Sequence, residues 1–395
     1  MKILMFGRGV IATIYGWALQ QAGHDVEFYV RPGRAETYGD AVDLDLFDMR
    51  RRVWGQRVAE KWPVPYREAL EPDHDFDLIV LSVPHHRLAG ATAFLAPRVG
   101  QATVLVFGNL WTEPLAAIGA LPADQIAWGF PQAGGGFGAD GVLHGALLPS
   151  VIFGTLDRPP TNRERAVRQA FREAGLRIKE RPDFRGWLWV HFASDAGMFS
   201  QGLRLGSLSQ LAGATGDLRE ALLAGRELLP LLQARGLDLR RHRGGVLPFR
   251  APTWLTAPVL AWLTAHVAPA RVSLTAHSDP DAEEPREVCR DTLAEARRLG
   301  ISVPRLEAAE PHFAREGRGG SESTDVVGPG GPLRLLGPPR PRAKPGRTGR
   351  PTAVHTRLFA VQPLSPVRDV VEGKVMTTTE KHELGSEEHR NRIVR

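Results

Sequence analysis

A glycine-rich turn between an apolar run and a helical pattern constrains the fold of this chain more than any other feature. The apolar run from Ile3 to Phe6 leads into Gly-x-Gly-x-x-Ala, a helical pattern that ends at Gly23, and a second apolar run from Val26 to Val30. Strand, glycine turn, helix and strand is the order that a Rossmann dinucleotide site requires. The residues predicted to bind the cofactor here are Gly7, Arg8, Gly9, Val10, Ile11 and Ala12.

Each small residue of the turn has a separate physical role in such a site. Gly7 permits the tight turn, and Gly9 lets the backbone approach a pyrophosphate. Ala12 and Gly16 allow the helix to pack closely on the strand, while the helix N-terminus faces the negative charge of the phosphates.

The end of the second apolar run indicates which cofactor binds. An NAD site usually has Asp or Glu there for the ribose 2′-hydroxyl, whereas arginine accommodates a 2′-phosphate. Here Arg31 and Arg34 follow Val30, and Glu27 lies too early to take the acidic position. The two arginines could instead be ordinary solvated loop charges, but the pattern favours NADPH.

Composition excludes several classes of protein. The single cysteine, Cys289, rules out a disulfide framework and a cysteine-based zinc cluster, so no metal site is predicted. Met1 runs directly into the first strand, and the most apolar later stretch, 257–268, is too short to span a membrane. A cytoplasmic protein without a membrane partner is expected.

The basic net charge of +6 belongs to the C-terminal stretch. From Arg315 onward there are 15 Lys+Arg and 9 Asp+Glu, which leaves residues 1–314 with equal numbers of the two. A nucleic-acid partner is therefore not expected.

The pattern along the chain predicts an α/β Rossmann-type domain, an all-α domain and a disordered tail. Buried strands of a mostly parallel sheet are expected at 77–83, 103–107, 125–128 and 150–153, and one more strand at 176–179. A glycine-rich hairpin or turns are expected at 131–145, and a capped helix from Thr161 to Gly175. Helical spacing follows at 184–202, 217–233, 258–268 and 285–299. The predicted domains are 1–180 for the cofactor, 181–314 for substrate and dimerisation, and 315–395 as a Pro/Gly-rich tail.

Residues 1–314 resemble the ketopantoate reductase (2-dehydropantoate 2-reductase) family. The resemblance rests on the glycine turn, on Arg31, on Asn109 after the strand at 103–107, and on the helix containing Trp187 to Met198. It implies a Rossmann domain followed by a helical domain, NADPH as the cofactor, and reduction of the 2-oxo group of ketopantoate in pantothenate biosynthesis. A homodimer is a further expectation.

The sequence departs from the family where the chemistry takes place. The family pattern Leu-Trp-x-Lys-Leu-x-x-Asn reads here Leu-Trp-Val-His-Phe-Ala-Ser-Asp, so His191 replaces the catalytic lysine and Asp195 replaces a substrate-binding asparagine. A second family lysine corresponds to Pro84, which His85 and His86 follow. The family's substrate-binding glutamate corresponds to Glu284.

Reduction of a 2-oxo acid requires a proton for the developing alkoxide and polar groups for the carboxylate. His191 and Asp195 lie four residues apart on one predicted helix, so they share a face. A carboxylate beside an imidazole raises its pKa, which predicts that His191 acts as an imidazolium acid. The predicted catalytic residues are His191, Asn109, Asp195 and Glu284, although His191 could instead be a hydrogen-bonded helix residue. Asn109 is also predicted to bind the cofactor, together with Arg31 and Arg34.

Two functions remain open at this point. The favoured one is an NADPH-dependent reductase of a small 2-oxo acid, either ketopantoate or another. The alternative is a protein that binds NADPH but has lost catalysis and acts as a binding or regulatory module. A cleft-facing pair of His191 and Asp195 favours the enzyme.

Overall fold

All strands of the described chain lie before residue 182, and only helices follow them. The structure is a computed structural model that describes residues 1–52, 55–267, 270–271, 274 and 283–314, all within one compact unit. The predicted tail at 315–395 and the predicted helix end at 268 lie outside the described residues. The α/β Rossmann-type domain followed by an all-α region is confirmed, while the limits at 180 and 314 stay predictions.

The strands are β1 (Lys2–Phe6), β2 (Asp25–Tyr29), β3 (Ala41–Asp48), β4 (Gln56–Pro63), β5 (Tyr66–Arg67), β6 (Leu78–Leu81), β7 (Thr103–Phe107), β8 (Ile126–Phe130), β9 (Ala133–Phe137), β10 (Leu143–Leu147), β11 (Ser150–Gly154) and β12 (Arg177–Arg181). The helices are α1 (Val10–Gln20), α2 (Ala35–Tyr38), α3 (His85–Leu95), α4 (Pro114–Ala117), α5 (Asn162–Glu173), α6 (Phe184–Leu205), α7 (Thr215–Glu227), α8 (Leu229–Ala234), α9 (Arg243–Arg250), α10 (Thr253–His266), α11 (Glu283–Arg298) and α12 (Pro304–Ala309).

The larger sheet has eight strands in the order β12-β11-β8-β7-β6-β1-β2-β5. Every neighbouring pair is parallel except β8 and β11. The predicted mostly parallel sheet is therefore confirmed. Because parallel strands end at the same edge, the segments that follow β1, β6, β7 and β8 are brought together there.

A second sheet has the order β4-β3-β10-β9. The glycine-rich segment forms the predicted hairpin, since β9 and β10 pair antiparallel. Strands β3 and β4 were not predicted, although β3 alternates buried Val42, Leu44 and Leu46 with more exposed residues, the period of a half-buried strand.

Close packing of α1 on the sheet confirms the predicted role of Gly16. A Cβ at this position would lie 2.6 Å from Cζ of Phe28 and 3.3 Å from Cγ of Met5. Only glycine fits between the helix and the two strands here. Ala12 is also fully buried.

Local sequence signals set the ends of two further helices. At α5, Thr161 and Glu164 form the predicted capping box. The helix predicted at 217–233 is instead divided into α7 and α8 at Leu228, with Pro230 in the first turn of α8. Proline is tolerated in a first turn but breaks a helix interior, which explains the division.

Candidate functional site

Four segments meet at the carboxyl edge of the larger sheet. The glycine turn follows β1, residues 82–86 follow β6, residues 108–112 follow β7, and Phe130 ends β8. Because β1, β6, β7 and β8 are neighbours in the sheet, these segments lie side by side along this edge. Crevices at this edge are where ligands bind in open α/β sheets.

The glycine turn has the geometry of a phosphate cradle. Gly7 has φ +92°, and its N–H donates to the carbonyl of Tyr29 over 2.9 Å. Gly9 is the N-cap of α1 and provides no side-chain cap, so amides of the first turn keep their hydrogen-bonding capacity. A Cβ on either glycine would meet no heavy atom within 4 Å, so the space above the turn is open. The residues present fit a dinucleotide pyrophosphate.

The side chain of Arg8 is engaged by the protein. Its Nε donates to the hydroxyl of Tyr66 over 2.8 Å, and its guanidinium lies 4.7 Å from the ring of Tyr38 and 4.8 Å from that of Phe137. If Arg8 contacts the cofactor, its backbone is therefore the part that does so, and this contact stays a prediction. The contacts predicted for Val10 and Ile11, in the first turn of α1, also stay predictions.

The predicted 2′-phosphate arginines lie in the turn after β2. Arg31 and Arg34 are both exposed there. The carboxylate of Glu68 lies against the same turn and accepts the N–H of Ala35 over 2.7 Å. Backbone hydrogen bonds from Ala35 and Gly33 lower the pKa of Glu68. Sequence reasoning did not identify this acidic neighbour, because nothing in the spacing of residue 68 indicates it.

Three of the four predicted catalytic residues come together. Nδ2 of Asn109 donates to Oδ2 of Asp195 over 2.8 Å, and Nε2 of His191 lies 3.5 Å from the same oxygen. Asn109 comes from the segment after β7, and the other two from one face of α6. The structure thus joins the sheet edge to the helical region through this group.

The prediction that Asp195 raises the pKa of His191 is wrong. Desolvation by burial lowers the pKa of His191 to about 4. Its ring is stacked at 5.2 Å on that of Trp187 and makes a T-shaped contact at 4.5 Å with that of Phe130, and the side chain is 34% exposed. The imidazole is therefore neutral at neutral pH.

The fourth predicted catalytic residue, Glu284, lies in the first turn of α11. Burial and the neighbouring His85 lower the pKa of His86. The negative charges of Glu287 and Glu284 act in the opposite direction and raise it. The described interactions thus relate Glu284 to the segment after β6, and its role in binding the substrate stays a prediction.

The two histidines after β6 line a cleft of about 270 Å³ together with Trp111 and Asp291. Nε2 of His85 lies 3.1 Å from Oδ2 of Asp291. Nδ1 of His85 and both ring nitrogens of His86 are buried without a hydrogen-bond partner in the described part of the chain. Within that same part, no group of His, Cys, Asp and Glu side chains could hold a metal ion.

A stack of three side chains holds the segment that carries Asn109. The guanidinium of Arg235 lies 3.8 Å from the ring of Trp111 and 3.8 Å from that of Trp189. Its Nη2 also donates to the carbonyl of Trp111 over 2.6 Å. Sequence reasoning did not find this stack, since its members are far apart in the chain.

Residues 3–158 match the family model described as ketopantoate reductase PanE/ApbA. Among solved structures, 2-dehydropantoate 2-reductase from Geobacter metallireducens GS-15 is 17% identical with a TM-score of 0.56, covering 79% of this chain and 99% of that one. The PanE/ApbA family ketopantoate reductase from Ralstonia eutropha JMP134 is 18% identical with a TM-score of 0.52, covering 79% and 96%.

D-mandelate dehydrogenase, solved with NADH and anilino(oxo)acetate, is 14% identical with a TM-score of 0.57, covering 79% of this chain and 97% of that one. No curated protein matches the sequence significantly. At these identities the solved structures show the fold alone. Together with the family match over residues 3–158, they confirm the resemblance to the ketopantoate reductase family. No helix among the described residues is long and apolar enough to cross a membrane.

Proposed function

We propose that this chain, with its ketopantoate reductase fold, is an NADPH-dependent reductase of a 2-oxo acid. Ketopantoate is the first substrate to test, and pantothenate biosynthesis the process that such an activity would serve. The observation that carries the proposal is the meeting of Asn109, Asp195 and His191 at the carboxyl edge of the sheet. An enzyme that draws on NADPH and a 2-oxo acid is expected in the cytoplasm.

The cofactor would be held by the amides of the turn from Gly7 to Ala12 and by the guanidinium groups of Arg31 and Arg34. The open space above Gly7 and Gly9 supports the first contact, and the exposure of both arginines supports the second. Guanidinium pairs with phosphate in charge-assisted, often bidentate hydrogen bonds. When bound, NADPH supplies the hydride.

The protein's own part in the chemistry is to stabilise the negative charge that develops on the substrate oxygen. A neutral imidazole can donate its N–H to such an oxygen without first carrying a charge. His191 suits this task, because burial keeps it neutral and the rings of Phe130 and Trp187 pack against it. The alkoxide that hydride transfer forms would take its proton from solvent, which can reach the site along the exposed edge of the ring.

A specific observation favours the alternative, an NADPH-binding module without catalysis. In the family pattern a lysine cation stands at position 191, whereas here the ring is neutral and the carboxylate of Asp195 lies 3.5 Å from it. A 2-oxo acid is an anion, so this group provides less attraction for its carboxylate than a lysine does.

The deciding experiment measures NADPH oxidation against a panel of 2-oxo acids that includes ketopantoate, together with NADPH binding by fluorescence. The reductase predicts turnover that His191→Ala lowers by about 10²–10³-fold, the usual effect of removing one oxyanion donor, with little change in NADPH affinity. His312→Ala, an exposed histidine in the last described turn, is the matched control. NADPH binding without oxidation by any acid would support the binding module instead.

We also propose that the cofactor domain ends near residue 180 and the helical domain near residue 314. The change from strands to helices after β12 supports the first limit. Limited proteolysis with mass spectrometry tests the second limit, since cleavage is expected to accumulate near residue 314 and not inside α5 or α6. Because residue 180 lies in the paired strand β12, the first limit is tested instead by whether residues 1–181, expressed alone, bind NADPH.

A further inference from the structure

The helices α9 and α10 present a concentration of apolar side chains to solvent. Eight large apolar side chains are exposed among the described residues, and five of them lie between positions 247 and 262. Exposed apolar residues are usually scattered singly, so this concentration indicates a contact surface. We call it the α9–α10 surface, and its apolar members are Leu247, Trp254, Leu255, Val259 and Trp262.

Helix α10 directs its large side chains away from the core. Its two tryptophans, Trp254 and Trp262, are 75% and 58% exposed. Leu255 and Val259 are exposed with Trp262 at helical spacing, so the three form one stripe. A surface helix normally turns its large apolar residues inward, so this stripe requires an apolar environment outside the chain. The buried positions of α10 carry the small residues Thr253, Ala257, Ala261 and Thr264.

Arginines lie around the apolar side chains. On α9, Arg243 and Arg250 lie four residues before and three residues after Leu247, so they share its face. At the start of α10, Nε of Arg219 donates to the hydroxyl of the first helical residue over 3.5 Å. Beyond its end, Nη1 of Arg271 lies 3.4 Å from a carbonyl oxygen of the last turn. All four arginines are exposed.

The positive charge of the folded body is concentrated in this part of the sequence. The stretch 239–278 contains five arginines and no Asp, Glu or Lys. Because residues 1–314 are neutral in total, the remainder of that range carries a net charge of −5. The α9–α10 surface is therefore complementary to an anionic surface and repels another copy of itself.

We propose that the α9–α10 surface binds a membrane that contains anionic lipids, with α10 lying in the plane of the interface. The apolar stripe enters the boundary between headgroups and acyl chains, and the arginines contact the lipid phosphates. Tryptophan favours this depth, because its ring is apolar and its N–H is polar. The sequence predicted no membrane partner because its most apolar stretch is too short to span a bilayer, but a helix on the surface needs no such stretch.

A lipid surface fits these side chains better than a protein partner does. A protein would have to place apolar residues and carboxylates in register with both helices. A bilayer interface presents phosphates and acyl chains at adjoining depths everywhere along its plane. It can therefore meet the arginines at both ends of α10 and the apolar stripe between them at once.

Flotation of the full-length chain with lipid vesicles tests the proposal. One set of vesicles contains phosphatidylglycerol and phosphatidylcholine in equal amounts, and the other contains phosphatidylcholine alone. We expect binding to the first set that high salt weakens, because ions screen the arginines. Binding to the second set should be weaker by about tenfold or more. Brominated lipid in the first set should quench part of the tryptophan fluorescence.

The charge is tested with Arg243→Gln combined with Arg250→Gln. Each arginine near an anionic membrane strengthens binding by about fivefold, so this double variant should bind the anionic vesicles about tenfold or more weakly. The matched control is Arg51→Gln combined with Arg52→Gln. These two exposed arginines lie after β3, and their replacement removes the same charge away from the α9–α10 surface.

The apolar stripe is tested with Trp254→Gln combined with Trp262→Gln. Loss of the two rings should weaken binding by about tenfold or more, since binding depends on the apolar area that enters the interface. The matched control is Phe47→Gln combined with Leu115→Gln, two exposed apolar residues outside the α9–α10 surface. All of these positions are exposed, so circular dichroism and the melting temperature should report an intact fold.

Binding to the anionic vesicles that both test variants lose and both controls keep supports the proposal. A wild type that binds neither set of vesicles, or both sets equally, overturns it. Unchanged binding in either test variant also overturns it, since the tail or another surface then makes the contact. A dimer in sedimentation velocity that the tryptophan variant dissociates overturns it as well, because a second copy then covers the surface. Flotation requires neither NADPH nor substrate, so the outcome is independent of the proposed activity.

Discussion

Removal of Arg235 tests how the helical region holds the segment that carries Asn109. The side chain of Arg235 is only 10% exposed and lies between two indole rings, 3.8 Å from the centre of each. It also donates to the carbonyl of Trp111 and lies 3.4 Å from Glu295. The change Arg235→Ala removes all of these contacts at once.

The expected cost follows from opposing contributions. Each desolvated cation–π contact contributes up to about 2 kcal/mol, and the charge-assisted hydrogen bond to Trp111 about 1.5–3 kcal/mol. Burial of the guanidinium opposes them. Burial lowers the pKa of Arg235 from 12.5 to about 10. This shift corresponds to a free-energy cost of roughly 3 kcal/mol for keeping the guanidinium charged in the folded protein. The variant should therefore lose about 2–4 kcal/mol of unfolding free energy, within the range for breaking a buried network.

Urea unfolding followed by tryptophan fluorescence measures this loss. The matched control is Arg185→Ala, because Arg185 lies 5.1 Å from the ring of Trp189 and 3.4 Å from Glu113 but is 42% exposed. Solvent-exposed pairs contribute about 1 kcal/mol or less, so the control should change stability little. Equal losses in the two variants, or no loss in Arg235→Ala, would refute the reasoning that burial makes the stack strong.

Three further outcomes follow from particular contacts. Gly16→Ala should cost about 1–3 kcal/mol of unfolding free energy by overpacking against Phe28, whereas Gly9→Ala, with open space around its Cβ, should leave urea unfolding unchanged. Glu68→Gln should tighten NADPH binding several-fold in a fluorescence titration without affecting NADH, because it removes a negative charge beside the expected 2′-phosphate; an equal effect on both cofactors would contradict this. His191 has a pKa of about 4 when folded and an ordinary value of 6.5 when unfolded, so the unfolded chain takes up the proton first as pH falls. As the pH falls from 6.5 to 4, the free energy of unfolding should therefore decline more steeply for the wild type than for His191→Phe. If the two proteins lose stability in parallel over this range, burial does not lower the pKa of His191.

The sequence predicted the larger sheet well because its signals are local. The Gly7 turn, the capping box of Thr161 and the continuous apolar runs each specify their own element within a few residues. The smaller sheet was predicted only at its hairpin. In this sheet β3 pairs with β10, which lies about a hundred residues later in the chain. No local pattern in the sequence indicates which strand another strand will pair with over such a separation.

The part of the site that was predicted correctly also follows from local signals in the sequence. Helical spacing alone brought His191 and Asp195 to one face, and the strand end placed Asn109 beside them. The pKa of His191 could not be obtained in this way. It depends on Phe130 and Trp187, whose rings reach the imidazole only through tertiary packing, so desolvation exceeded the attraction expected from Asp195.

The carboxylate of Asp195 also determines the orientation of the side-chain amide of Asn109. A carboxylate only accepts hydrogen bonds, so it takes the Nδ2 group of Asn109 over 2.8 Å. Oδ1 of the amide is then buried and without a partner among the described residues. A buried unpaired acceptor is costly, so a ligand that donates a hydrogen bond to it should bind preferentially. Of the two partners in the proposed reaction, the 2-hydroxy acid carries such a donor and the 2-oxo acid does not. We therefore expect the 2-hydroxy acid to bind more tightly than the 2-oxo acid, and we expect Asp195→Asn to reduce this difference; binding constants of the two acids for both proteins check the expectation.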